Sequence, residues 1–170
     1  MGSEVKPDQA LANLRVLIVD DNAAMRGLVR AILGAFGCEN VFEADGAKRA
    51  MEILRGDAID LVISDWKMSP VDGIELVKIM RDPEQSPTPY MPVIMLTAYA
   101  EPSRVHEARD AGVTEFLAKP FSSENLYRRI QSIVNRPRPF VRTKVFFGPD
   151  RRRRGDGDYL GPERRDDPVI

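Results

Sequence analysis

The sequence predicts an α/β fold, a five-stranded parallel sheet wound with helices on both faces. Three observations predict it. Five short apolar runs, at residues 14–19, 40–43, 61–64, 92–96 and 114–118, are only a few residues long and mostly rich in Val, Ile, Leu or Phe. Near-continuous apolar runs of that length suit strands buried on both faces. Between and after them lie five helical patterns, and strict alternation of the two element types means a parallel sheet covered on both sides.

The first run, 14–19, precedes Asp20-Asp21, and the helix that follows spans Ala23–Ala35 with Met25, Leu28, Val29, Ile32 and Leu33 on one apolar stripe. The second run, 40–43, leads into a helix over 47–54, and the third, 61–64, into a helix over 74–80. The fourth run, 92–96, is followed by Pro102–Ala111, and the fifth, 114–118, by a helix over 123–134. Gly34, Gly37 and Gly112 are placed to stop helices, and Ser122 to cap the last one with Asn125 close behind. Right-handed crossovers leave few topologies open, and the favoured one is the flavodoxin-like strand order 2-1-3-4-5.

The chain has 170 residues, 43% of them hydrophobic and 30% charged, as in a soluble globular protein with one domain and a short appendage. No apolar run reaches membrane-spanning length. The first residues match neither a secretory signal nor a myristoylation pattern, and Cys38 is the only cysteine, so no internal disulfide can form. A cytoplasmic protein is expected. Charge is uneven: residues 1–136 carry 16 basic and 20 acidic side chains, residues 137–170 carry 9 and 6. The expected division is a disordered N-terminus at 1–11, an α/β domain at 12–136 and a basic tail at 137–170.

In such a sheet, ligands bind beyond the carboxyl ends of the strands, near the switch in strand order. Strand one ends in Asp20-Asp21, strand three in Asp65, strand four in Thr97-Ala98 and strand five in Lys119-Pro120. Three carboxylates so gathered repel unless a cation neutralises them, and hard oxygen ligands suit Mg²⁺. Asp65 can act as a nucleophile toward a phosphoryl group. Lys119 and Thr97 can stabilise the phosphoryl oxygens.

Asp20-Asp21, then Asp65-Trp66-Lys67-Met68-Ser69-Pro70-Val71-Asp72-Gly73, Leu96-Thr97-Ala98 and Lys119-Pro120-Phe121 resemble the receiver domain of two-component response regulators. The resemblance covers about residues 12–136. It implies Mg²⁺ held by Asp21, Asp65 and the Lys67 carbonyl, with Asp20 acting through water. It also implies a cis Lys119–Pro120 peptide, and a phosphoryl donor that is a histidine kinase or histidine phosphotransfer protein. Phe116 occupies the position of the family's switch aromatic, moving together with Thr97. Phosphorylation-dependent contacts with a downstream protein would then form on the face of the fourth helix, fifth strand and fifth helix. Such a protein is a phosphoacceptor with slow autodephosphorylation rather than an enzyme, and a monomer or weak dimer. Two departures stand out: the proline after the acceptor strand comes one place late, at Pro70, and Lys67 stands where Asn is common.

Single residues have plainer readings too. Asp20 or Asp21 could cap the first helix, Asp72 caps the third, and Phe116 could be core alone. Trp66 and Tyr99 lean toward packing, His106 toward solvent, and Cys38 toward inert burial. A haloacid-dehalogenase-like phosphatase would need Asp-x-Asp after the first strand, which this chain lacks.

The tail begins with Pro137 and Pro139, which end the last helix. Residues 140–147 read as an extended segment, and Gly-Pro-acid-Arg-Arg occurs twice, at 148–152 and 161–165. The tail is expected to be extended or disordered. Alternatively Phe140, Val145, Phe146 and Phe147 dock on the domain or on a partner, with Arg151, Arg152, Arg164 and Arg165 as further partner contacts. A basic tail that binds nucleic acid is a third reading, weakened by Asp150, Asp156, Asp158 and Glu163.

Overall fold

Branched and long apolar side chains that alternate between two faces, with both faces buried, fix the centre of the molecule. The computed structural model describes residues 9–98 and 101–150. Its elements are α1 (Gln9–Ala12), β1 (Arg15–Val19), α2 (Ala23–Ala35), β2 (Asn40–Ala44), α3 (Ala47–Gly56), β3 (Leu61–Asp65) and α4 (Gly73–Arg81). They continue with β4 (Val93–Thr97), α5 (Pro102–Ala111), β5 (Glu115–Ala118), α6 (Ser123–Asn135), β6 (Phe140–Arg142) and β7 (Phe147–Pro149). Strands β1 to β5 form one parallel sheet in the order β2-β1-β3-β4-β5, as the sequence predicts.

One face of β1 sends Leu17 and Val19 into a core shared with α3, α4 and α5. The other sends Val16 and Ile18 into a core with Val29 and Leu33 of α2 and Leu126, Ile130 and Ile133 of α6. Strands β3 and β4 are buried at every position, which explains the apolar runs Leu61–Ile63 and Val93–Leu96 that precede their polar ends. The edge strands β2 and β5 are only partly covered.

Several expectations need correction. Among the described residues six helices replace five, because α1 (Gln9–Ala12) begins within the segment expected to be disordered at 1–11. Leu11 is buried there against the α2–α6 core, and covering one leucine gives a short helix a reason to dock. Gly34 does not stop α2 but lies within it, and the turn is made at Gly37, whose φ is 87°. Leu28, placed on the apolar stripe, is 51% exposed, since Val29 and Leu33 point the helix elsewhere.

The tail also differs. Residues 140–149 form an antiparallel hairpin, β6–β7, with Phe140 opposite Pro149 and Arg142 opposite Phe147. Phe140 and Phe147 stack on each other and on Tyr90, at centroid distances of 5.6, 5.1 and 5.4 Å. They dock on the domain, as one of the alternatives for these residues has it. Val145 does not dock: it is 95% exposed at the hairpin turn. Arg151, Arg152, Arg164 and Arg165 lie outside the described residues, as does Tyr99.

Arg81, at the end of α4, anchors this corner. It is buried and donates twice to the Gly112 carbonyl and once to the Pro89 carbonyl, at 2.9–3.0 Å, while its guanidinium lies 5.0 Å from the Phe140 ring centroid. Burial pushes its pKa down to about 10, so it stays charged at neutral pH. Arg138 and Arg129 both pair with buried Glu115, which ties the start of the tail to β5 and α6. Phe140→Ala should therefore lower stability by about 2–3 kcal/mol through lost ring and cation contacts. Val145→Ser should leave stability unchanged, and urea unfolding of both variants measures the difference.

Candidate functional site

The strand order brings the chemistry together at one rim. β1 and β3 run side by side, with Val19 opposite Ser64, so Asp20 follows directly beside Asp65 at the end of β3. β4 ends at Thr97 opposite Ala118 of β5, and Lys119 comes next, its N–H donating to the Thr97 carbonyl at 2.7 Å. Asp20, Asp21, Asn22, Met25, Asp65, Trp66, Lys67, Thr97, Ala98 and Lys119 surround a cleft of about 240 Å³.

Carboxylate oxygens of Asp20, Asp21 and Asp65 lie within 4.8 Å of one another. Lys119 Nζ is 2.7 Å from Asp65 Oδ1. Asp20 and Asp65 are buried and Asp21 is exposed, so the cluster opens to solvent on one side. Burial is the main force raising the Asp20 pKa. The Asn22 N–H and Lys119 lower it, and Asp65 and Asp21 raise it further. Asp20 Oδ1 accepts from the Asn22 N–H at 2.8 Å, whereas buried Oδ2 has no hydrogen-bond partner among the described residues. A buried carboxylate oxygen without a donor, beside two more carboxylates, fits a hard divalent cation such as Mg²⁺.

The capping alternatives are settled by geometry. Neither Asp20 nor Asp21 caps α2; Asn22 does, its side chain accepting from the Ala24 and Met25 N–H groups. The adjacent aspartates are thereby left for the cleft. Asp72 caps α4 in a reciprocal box with Glu75. His106 is exposed, and Cys38 is buried with its thiol 3.3 Å from the Leu14 carbonyl.

Gly73 carries more weight than its spacing suggests. Its N–H donates to the Trp66 carbonyl at 2.7 Å, and a Cβ there would lie 2.2 Å from the Asp65 carbonyl oxygen. The loop between β3 and α4 therefore closes tightly behind β3. It contains a cis Ser69–Pro70 peptide at the displaced proline, and Lys119–Pro120 is cis as the resemblance implies. Lys67 is exposed at the mouth of the cleft.

Trp66 is buried beside Asp65 and meets Phe116 edge-on at 6.4 Å, and Arg104 of α5 lies 5.6 Å from its ring centroid. Phe116 is partly buried against the α3–α5 core. The end of β3 thus touches β5 through an aromatic pair. The role of Arg104 could not be read from sequence, since nothing in its spacing marks a contact with Trp66.

Residues 16–131 match the family model described as the response regulator receiver domain. The chain is 36% identical over 124 residues to chemotaxis protein CheY-3 of Vibrio cholerae, covering 73% of this chain and 94% of that protein. It is 34% identical over 123 residues to chemotaxis protein CheY of Pseudomonas aeruginosa, covering 72% and 98%. Among solved structures, Vibrio cholerae CheY4 superposes with a TM-score of 0.65 at 32% identity, covering 71% of this chain and 98% of that one. A Francisella response regulator receiver domain gives 0.66 at 28%, covering 73% and 98%.

Proposed function

Since the chain belongs to the response regulator receiver domain family of two-component signalling, we propose that it accepts a phosphoryl group on Asp65 and signals through protein contacts that depend on it. The supporting observation is the position of Asp65 at the end of a central strand, 2.7 Å from Lys119 and within 4.8 Å of two further aspartates. The donor is a histidine kinase or a histidine phosphotransfer protein, as the family's chemistry requires. When an Asp65 oxygen bonds to phosphorus, the phosphorus–nitrogen bond of phosphohistidine breaks and the imidazole leaves with its electron pair.

Mg²⁺ would be held by Asp21, Asp65 and the Lys67 carbonyl, with Asp20 acting through water, and would neutralise charge on the phosphoryl oxygens. Lys119 places its ammonium beside the acceptor and supplies a second positive charge. Buried Thr97 stands at the end of β4, where its hydroxyl would donate to a phosphoryl oxygen. Thr97 and Phe116 form the switch, two packings populated differently with and without the phosphoryl group. The partner face is that of α5, β5 and α6, and the relatives' names make chemotaxis one setting for it. The receiver unit is proposed to end at 136, with the hairpin as a docked extension of it.

Addition of Mg²⁺ and beryllofluoride, followed by amide exchange, tests this reading. Protection should change at Thr97, Phe116 and α5 in the parent and not in Asp65→Asn. Equal responses in the two proteins would remove Asp65 from the mechanism.

Lys67 offers a separate prediction. Its ammonium, at the mouth of the cleft, restricts how water reaches the phosphoryl group. Lys67→Asn should lose the phosphoryl group severalfold faster, as followed by phosphate release. Equal rates would remove Lys67 from that role.

A further inference from the structure

A second groove, of about 240 Å³, lies beside the hairpin at the opposite end of the sheet from Asp65. Pro92, Ile133, Pro137 and Phe140 make its apolar wall, and Tyr90, 50% exposed, and Arg136 stand at its rim. The neighbouring seat, filled by Phe147 and by Gly148, Pro149 and Asp150 of the first Gly-Pro-acid-Arg-Arg unit, shows what such a unit needs. Phe147 stacks on Tyr90 and Phe140. Gly148 runs so close to Gly112 that a Cβ would come within 2.9 Å of its Cα. Pro149 is buried opposite Phe140.

The same types recur thirteen residues later: Phe146-Phe147-Gly148-Pro149-Asp150-Arg151-Arg152 is echoed by Tyr159-Leu160-Gly161-Pro162-Glu163-Arg164-Arg165. An aromatic or apolar pair, Gly, Pro and an acid are kept together. We propose that the groove is the seat of this second unit, from the same chain, with Tyr159 and Leu160 against the apolar wall and Glu163 paired with Arg136.

Three observations carry it. The described chain leaves the hairpin at Asp150, whose N–H donates to the Pro139 carbonyl at 2.7 Å, next to Phe140 in the groove wall. Eight residues, 151–158, separate that exit from Tyr159. They span at most about 3.3–3.6 Å each, enough to cross a groove that begins at the exit. A tether this short also gives an effective concentration of roughly millimolar, so a weak contact suffices. Charge is the third observation. Arg136 is exposed and has no carboxylate partner among the described residues, while Glu115 in the groove is already paired with Arg129 and Arg138. The groove thus offers an apolar wall and an unmatched cation to a segment that is apolar and then acidic.

Hydrogen exchange on the full chain tests the proposal. Leu160→Ser and Glu163→Arg should each raise exchange severalfold at amides between residues 132 and 140, and Arg136→Glu should restore protection in the Glu163→Arg background. Unchanged exchange in Leu160→Ser, or no rescue by the charge swap, would overturn it. The chain carrying Arg136→Cys and Glu163→Cys should form a disulfide at monomer mass, since Cys38 is buried and does not compete. Cross-linked dimers in its place would overturn the same-chain assignment.

Discussion

Lys119→Ala is expected to slow phosphoryl transfer from a small phosphodonor to Asp65 by about 10²- to 10³-fold, the loss typical of removing one preorganised charge from a transition state. Lys119 Nζ stands 2.7 Å from Asp65 Oδ1, and its backbone is pinned by the bond from its N–H to the Thr97 carbonyl. The ammonium is thus held in place before any donor arrives, and little reorganisation remains for the moment of transfer. Lys119→Arg keeps the charge but alters length and geometry, so it should recover only part of the rate. Mg²⁺ affinity should not fall in Lys119→Ala, because a cation has been removed from beside three carboxylates. Quenched-flow labelling gives the rate and a fluorescence titration of Trp66 gives the affinity. A Lys119→Ala rate equal to the parent's would show that the ammonium plays no part in the transfer.

Gly73→Ala should be the most damaging conservative change to the scaffold of the site. An added Cβ would lie 2.2 Å from the Asp65 carbonyl oxygen and 3.0 Å from Met95 Sδ. The methionine can move, but the carbonyl belongs to the buried strand β3 and cannot retreat cheaply. Overpacking of this kind costs about 3 kcal/mol at the upper end of its range. The N–H of residue 73 would also be pushed from the Trp66 carbonyl that it now meets at 2.7 Å. A lower urea midpoint and slower labelling should appear together, because the same shift displaces Asp65. Stability equal to the parent's would mean that the loop has room which the geometry denies.

How much of this was legible in the sequence follows from which interactions leave a pattern. Buried parallel strands did, since residues covered on both faces are mostly apolar, and Leu61–Ile63 of β3 and Val93–Leu96 of β4 are readable for that reason. The rim residues were readable because a charged side chain directly after such a run has one place to go. Asn22 was not, because Asp20, Asp21 and Asn22 are all competent caps and only the backbone decides among them. The close approach at Gly73 is a tertiary distance with no local signature. Arg81 looks like any basic residue near a helix end, yet it is buried against carbonyls and an aromatic ring from far along the chain. The hairpin was hidden by its own chemistry: Gly-Pro suggests a turn, whereas Gly148 and Pro149 lie in β7, where the glycine allows close packing on Gly112. The four-residue α1 is too short to show a period.

The central claim, that Asp65 is the phosphoacceptor, is tested most directly by site mapping. The protein is incubated with Mg²⁺ and acetyl phosphate, the acyl phosphate is reduced with borohydride, and the modified residue is located by peptide mass spectrometry. Asp65 should be converted to homoserine, Mg²⁺ should be required, and Asp65→Asn should carry no label. Label at another residue, or equal label in Asp65→Asn, would contradict the account.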